Sequence, residues 1–300
     1  MRTETIDVLT AYARANPDVM LLTGDLGYSV LERFQEALPA QYANVGVCEQ
    51  AMAGIAAGLA LSGHRVVIYS IVNFPTLRCL EQLRNDVCYH DLPVTVIAVG
   101  GGLAYGPQGY THHGVEDLGI MAMLPNMAVA CPADPHEAMA LLPQLLDRRR
   151  PAYLRLGRAG EPMLHAPDTE ITLGRANWFR RGTDIALLAT GPILGRALRA
   201  ADVLATRGIS ASVASFHAFF PLDAAAVREA AADHRAILTV EEHSVEGGFG
   251  SRVAEALLMA GLAPRFGKYG VTGALRGRIG SQSWLLDQLG SVEDHAQELL

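Results

Sequence analysis

The chain reads as an α/β protein of two domains, each a parallel or mixed sheet covered by helices. Three observations predict it. Short β-branched apolar runs alternate with helical stretches, the sequence form of strands buried on both faces. The alternation pauses once, over a turn-rich segment at 160–174, and then resumes. The length of 300 residues, at roughly 100–200 residues per domain, is enough for two cores.

The first half opens with a helical stretch at Thr3–Arg14 and a strand at Val19–Leu22. A helix of small residues follows at Glu49–Ser62, where Gly54 and Gly58, four apart, leave one face nearly flat and open to close packing. Strands at Val66–Ile71, Val94–Val99, Met127–Ala130 and Tyr153–Leu156 alternate with helices at Thr76–His90, Val115–Met123 and Pro135–Arg148. Residues Gly160–Gly174, with Pro162 and Pro167 and no helical period, read as a connector. In the second half, strands at Ile185–Ala189, Ser212–Ala214 and Ile237–Val240 accompany helices near Ile193–Arg207, Asp223–Asp233 and Gly250–Met259. The last helix, Ser291–Leu300, begins with a serine three residues before Asp294, a capping arrangement. The expected division is a domain at 1–160, a linker at 161–178 and a domain at 179–300.

Composition narrows the function classes. The net charge is −7, with no basic block beyond Arg148–Arg150, so the electrostatic footprint of a nucleic-acid binder is missing. No stretch of about 18 apolar residues predicts a membrane span, and the opening Met1-Arg2-Thr3-Glu4 leads into no export-signal core. Cys48, Cys79, Cys88 and Cys131 form no C-x-x-C pair, which suits a reducing cytoplasm.

Three loops after strands carry candidate chemistry. Glu49, in Val47-Cys48-Glu49-Gln50, puts a carboxylate at the start of a very apolar helix, where it is either a cap for the helix dipole or a group held in a dry site for its hydrogen bonding. The glycine-rich run Gly100–Gly114 follows the strand Val94–Val99, a position where ligands bind in open α/β sheets. It matches neither a dinucleotide fingerprint nor a P-loop. His112 and Glu116 lack a third metal ligand at a recognisable spacing, so no metal site is expected in this chain, and one of His112 and His113 is expected to face a polar pocket. Gly24-Asp25-Leu26-Gly27-Tyr28-Ser29 is either an ordinary turn with Ser29 capping the next helix or a third wall of the same crevice.

Taken together, these motifs resemble the transketolase superfamily of thiamine diphosphate enzymes, in its pyrimidine-binding and C-terminal domains, over nearly the whole chain. The resemblance extends through Ile68-Tyr69-Ser70, Asn85-Asp86-Val87-Cys88, Gly109-Tyr110-Thr111-His112, Cys131-Pro132-Ala133-Asp134 and Leu156-Gly157-Arg158. It continues in Glu241-Glu242-His243-Ser244 and Gly247-Gly248-Phe249-Gly250. It implies that Glu49 hydrogen-bonds a ring nitrogen of the cofactor's aminopyrimidine, favouring the tautomer that deprotonates the thiazolium carbon. It also implies that Asp25 lies near the thiazolium and that Phe74 stacks on the aminopyrimidine. Ser29 would contact a substrate phosphate, His112 would face the donor carbonyl and move its proton, and Arg158 would clamp a sugar phosphate. Two family positions differ: a histidine falls on Gly100, and the aspartate that reads a donor hydroxyl falls on Gln108.

The family's diphosphate and magnesium signature, Gly-Asp-Gly with a downstream asparagine, does not occur in the sequence. The resemblance therefore implies one half of a split transketolase. This chain would be the C-terminal subunit, transferring a two-carbon ketol unit from a phosphorylated ketose to an aldehyde acceptor. Its partner, the N-terminal subunit, would carry most of the site for thiamine diphosphate and magnesium, in an α2β2 heterotetramer with a β–β contact and active sites between subunits. The alternatives are the β subunit of a 2-oxo-acid dehydrogenase, a relative of deoxyxylulose-phosphate synthase, and a non-catalytic scaffold subunit.

Overall fold

The computed structural model describes residues 1–300 and forms two sheets. The strands are β1 (Val19–Thr23), β2 (Tyr42–Asn44), β3 (Arg65–Ile71), β4 (Val94–Val99), β5 (Ala128–Ala130), β6 (Ala152–Leu156), β7 (Asn177–Arg180), β8 (Ile185–Thr190), β9 (Ala211–Ser215), β10 (Ala218–Phe220), β11 (Ala236–Ser244) and β12 (Arg265–Val271). The helices are α1 (Arg2–Ala15), α2 (Glu32–Ala37), α3 (Glu49–Leu61), α4 (Leu80–Gln82), α5 (Asp117–Met123), α6 (Pro135–Asp147), α7 (Leu194–Thr206), α8 (Ala224–Asp233), α9 (Phe249–Met259), α10 (Gln282–Asp287) and α11 (Val292–Leu299). The expected α/β class and the alternation of parallel strands with helices are both present.

The first sheet has seven strands in the order β10-β5-β6-β4-β3-β1-β2, all parallel except β10. The second has five in the order β12-β11-β8-β9-β7, with only β7 antiparallel. Strands such as β4, Val-Thr-Val-Ile-Ala-Val, are buried along their whole length, as β-branched runs covered on both faces should be. One apolar layer packs α1 and α6 on the first sheet through Leu9, Leu141, Val67 and Leu154. A second layer is shared: Met52 and Ala56 of α3 and Val96 of β4 belong to the same core as Leu188, Phe216 and Phe249 of the second half. The two halves are packed on one continuous interior.

Several elements depart from expectation. The helix expected over Thr76–His90 is only α4, widening at once into a π-helical turn over Leu83–Cys88 that buries Leu83, Val87 and Cys88. Before it, Pro75 restricts the backbone, and the Thr76 hydroxyl donates to the Val72 carbonyl at 2.5 Å, so the chain turns where periodicity suggested helix. Strand β12 was hidden by its glycines: an added Cβ at Gly270 would lie 2.9 Å from the Glu241 side chain, so the close approach that requires glycine also erases the strand-like composition. Strand β10 leaves the second half to pair antiparallel with β5, Ala218 opposite Ala130. The capping at the last helix forms as expected, with the Asp294 amide donating to the Ser291 hydroxyl at 3.2 Å.

Candidate active site

Parallel strands put their carboxyl ends on one edge of a sheet, and ligands of open α/β folds bind along that edge. Across the first sheet in the order β6, β4, β3, β1, β2, the loops that leave these ends carry Arg158, then His112, then Phe74, then Asp25, then Glu49. Residues far apart in the chain thus stand in a row across neighbouring strands.

Glu49 is the first residue of α3 and only 5% exposed. An added Cβ on Gly24 would lie 3.7 Å from its Cγ, so the loop after β1 closes on it. No amide of α3 donates to this carboxylate. Its partner is Arg78, whose Nη1 donates to Oε1 at 3.1 Å, and the cap reading of Glu49 gives way to a side chain directed out of the helix. The same guanidinium lies 4.1 Å above the centroid of the Phe74 ring. Val47, Cys48, Glu49, Gln50, Ala51 and Arg78 line an open recess of about 430 Å³.

Asp25 and Ser29 both adopt left-handed backbone, at φ 57° and 63°, a conformation that costs energy for residues other than glycine and clusters at functional loops. Asn44, at the end of β2, stabilises it. Its Oδ1 accepts from the Asp25 amide at 3.0 Å and its Nδ2 donates to Asp25 Oδ1 at 3.2 Å. The Tyr28 hydroxyl donates to the same Oδ1 at 3.0 Å. Ser29 does not cap α2. Leu31 holds the N-cap position, and the Ser29 amide instead donates to Glu32 Oε1 at 2.8 Å.

The two adjacent histidines separate cleanly. His113 is buried, with Nε2 3.3 Å from the Gly106 carbonyl, and is part of the loop's scaffold. His112 is half-buried and meets Phe74 edge-on at 5.4 Å between centroids. Asn73 fixes this segment by donating from Nδ2 to the carbonyls of Thr111 and His113, both at 3.0 Å. Tyr105 stands 6.3 Å from His112, and the exposed Arg158 lies 5.6 Å from the Tyr105 centroid. Gly100 has φ 77°, and an added Cβ there would fall 1.9 Å from the Tyr105 ring. The space above Gly100 is filled by Tyr105. Glu49 and Phe74 are thus brought together through Arg78, His112 joins them against Phe74, and Arg158 through Tyr105. Gln108 is exposed beside this row, and no side-chain hydrogen bond ties it or the Ser29 hydroxyl to the others.

The loop that carries His112 is held from the second half of the chain. Glu242 accepts from the Leu103 amide at 2.7 Å and from Gln282 Nε2 at 2.8 Å, and burial pushes its carboxyl upward. Arg155 donates to the carbonyls of Gly114 and Glu242 at 2.9 and 2.8 Å and faces Asp117 at 3.5 Å. Glu241 accepts from the amides of Phe249 and Gly250 at the start of α9, at 2.6 and 2.8 Å; burial outweighs those bonds and pushes its carboxyl to about 7. Glu242 is therefore supporting structure for the loop, while Glu241 holds the start of α9 and His243 accepts from the Gly119 amide of α5. Sequence reasoning missed Arg78, Tyr105, Asn44 and Asn73. A glycine at 100 was the one available signal for Tyr105, whereas short polar side chains such as Asn44 and Asn73 give none before their loops are placed.

The residues present suit thiamine diphosphate at its pyrimidine end. A buried carboxylate and an aromatic face already hold between them a planar, hydrogen-bond-donating group, the Arg78 guanidinium.

Known proteins share this fold and sequence. Residues 1–160 match the family model of the transketolase pyrimidine-binding domain, and residues 174–280 that of the transketolase C-terminal domain. A subunit of the apulose-4-phosphate transketolase of Phocaeicola vulgatus is 38% identical over 253 residues, covering 84% of this chain and 81% of that protein. The 6-deoxy-6-sulfo-D-fructose transketolase subunit SqwH of a Clostridium species is 35% identical over 289 residues, covering 93% and 90%. A solved structure described as a split gene transketolase, inactive beta4 tetramer, superposes with a TM-score of 0.89 at 33% identity, covering 100% of this chain and 97% of that one. Both domain models fall on this one chain, which spans most of the length of these subunit relatives but only 37–48% of the 1-deoxy-D-xylulose-5-phosphate synthases that it also resembles: the chain belongs to the thiamine diphosphate-dependent transketolase family, as the C-terminal subunit of a split enzyme.

Proposed function

We propose that this chain supplies the pyrimidine-side half of an active site that transfers a two-carbon ketol unit from a phosphorylated ketose to an aldehyde, the other half coming from an N-terminal subunit that holds magnesium and the diphosphate. The observation that carries the reading is the row of Glu49, Phe74, His112 and Arg158 across adjacent strand ends, with a recess at Glu49 that is open on one side. In its support, Val47 at the rim is 72% exposed, an apolar residue suited to being covered by a partner. Gly54 and Gly58 face outward on α3 with nothing within 4 Å of an added Cβ, so their flat face is free for a contact between subunits in an α2β2 assembly. No helix is long and apolar enough to cross a membrane. We assign the enzyme to the cytoplasm, and divide the chain into a pyrimidine-binding domain at 1–160, a linker at 161–178 and a C-terminal domain at 179–300.

Thiamine diphosphate, when bound, supplies the carbon nucleophile that accepts the ketol unit. Every other task falls to the protein. Glu49 hydrogen-bonds the pyrimidine ring from a dry position, where one such bond is strong. Phe74 offers its face to that ring, and Asp25, held by Asn44 and Tyr28, borders the reacting centre. His112 moves a proton at the donor carbonyl oxygen. Asn73 holds its segment in place, and Tyr105 packs beside it. Arg158 binds the donor's phosphate with its planar fork, Ser29 contributes a hydroxyl, and Gln108 contacts a sugar hydroxyl.

In the complex reconstituted with the partner subunit, magnesium and thiamine diphosphate, Glu49→Ala should abolish ketol transfer while size-exclusion chromatography still finds the assembled complex. Substantial transfer by that variant refutes the role of Glu49. The purified chain alone, given cofactor and magnesium, should turn over no ketose phosphate; turnover there removes the requirement for a partner.

A further inference from the structure

Arg78 is the residue around Glu49 that the proposed mechanism does not use. Its side chain is half exposed, yet its guanidinium is held on two sides: Nη1 donates to the buried Glu49 carboxylate at 3.1 Å, and its plane rests 4.1 Å from the Phe74 centroid. A guanidinium is flat, delocalised and edged with N–H donors, and it stacks on aromatic faces while hydrogen-bonding carboxylates. An aminopyrimidine shares the flat shape, and its ring nitrogen accepts from the Glu49 carboxyl where the guanidinium donates to it. Arg78 occupies the one carboxylate and the one ring face that are proposed to receive the cofactor.

We propose that Arg78 is the resident occupant of the pyrimidine slot, and that cofactor binding exchanges the pyrimidine ring for this guanidinium. The inference rests on the reading that Glu49 and Phe74 receive the aminopyrimidine. Three features of the chain favour an exchange rather than a permanent lock. Arg78 reaches the slot from the irregular turns between β3 and α4, where backbone hydrogen bonds are local and few. Its side chain is 51% exposed, so the released cation returns to water without crossing packed protein. No third group fixes it: its hydrogen bonding is to Glu49 alone. While Arg78 stays, Glu49 keeps a countercharge and Phe74 keeps a covered face. The half-site is thereby closed to stray ligands until a better-fitting ring arrives, and the wild-type affinity is lowered by the fraction of chains in which Arg78 holds the slot.

The test titrates thiamine diphosphate, with magnesium present, into the assembled two-subunit complex by calorimetry. Arg78→Ala should bind about three- to tenfold more tightly than wild type, the range set by one partly exposed cation–aromatic contact and one half-exposed ion pair. Arg78→Lys, which keeps the charge and loses the plane, should fall between the two. Unchanged or weaker binding by Arg78→Ala overturns the exchange. Absence of binding by the wild-type complex overturns the proposed function and this inference with it, so the two failures are told apart. A second measurement needs no variant: phenylglyoxal labelling of Arg78, followed by mass spectrometry in the wild-type complex, should rise when thiamine diphosphate is added. A fall, or no change, overturns the release of Arg78.

Discussion

Between the two sheets lies a seam of buried charges in which Arg155, Asp117, Glu242, Glu137 and His217 are nearly or fully enclosed, whereas the loops at the carboxyl edge of the first sheet hold Arg78, Arg158, Asp25 and His112 partly or largely in the open. In the seam, carbonyls, amides and opposite charges surround each group: Arg155 has two carbonyls and Asp117, and Glu137 accepts from Ser215 at 2.6 Å and from the Ala133 amide at 2.6 Å. At the edge, most groups have one partner and an open side. Burial pushes the carboxyls of Glu241 and Glu242 upward and Tyr153 well above its usual value, in the seam or its neighbourhood. Perturbed ionisation is a useful marker of active sites, but in this molecule it follows burial, and much of it falls on the joint that holds the site's loop. Convergence of half-satisfied groups marks the site itself.

The largest effect should come from opening the seam. Arg155→Met leaves Asp117 without its countercharge and two buried carbonyls without a donor, and should lower the stability of the complex by about 3–5 kcal/mol in urea titration. A loss below 1 kcal/mol would mean that the seam charges are not mutually dependent. The same removal at the edge should behave in the opposite way. Arg158→Ala should leave the urea midpoint within about 0.5 kcal/mol, while kcat/KM for a phosphorylated donor falls about 10- to 100-fold, the worth of one charge-assisted hydrogen bond. An equal loss with an unphosphorylated donor would break the assignment of Arg158 to phosphate.

The smallest effect is a drift with pH. Burial alone would depress the His217 imidazole, but the Glu137 carboxylate beside it outweighs burial and raises it above its usual value. Geometry agrees, because one ring nitrogen faces the Thr172 carbonyl at 3.0 Å and the other lies at ion-pair distance, 3.4 Å, from the Glu137 carboxylate. A raised histidine contributes stability below its unfolded value near 6.5, and that contribution is lost as pH climbs through the raised folded value. Wild type should therefore lose stability relative to His217→Asn as urea titrations move from pH 6 towards alkaline conditions. Parallel curves for the two proteins would remove His217 from the seam's charge balance.

Much of this division could be read from the chain before its shape was known. Unbroken β-branched runs such as Val94–Val99 and Tyr153–Leu156 can be buried only as central strands, and the loops after them carried His112 and Arg158, whereas Glu49 follows β2, a three-residue strand with no such run. What stayed hidden depended on contacts between distant segments. Tyr105 owes its place to the room left by Gly100, five residues away but across a turn. Arg78 is an ordinary exposed arginine until Phe74 and Glu49 meet beneath it. Strand β10 is three residues long, and its pairing depends on β5, about 90 residues earlier in the chain.

That last pairing has a consequence for synthesis. The chain leaves the ribosome N-terminus first, at about 5–20 residues per second. Strands β1 to β6 are complete by residue 156, yet the edge of β5 has no neighbour on its outer side until residues 218–220 have been made. For several seconds the nascent chain presents a nearly finished sheet whose β5 edge is bare as well as its β2 edge. The last strand of that sheet is supplied by the second half, so a full-length molecule, not merely a well-packed first half, is what closes the edge against other nascent chains.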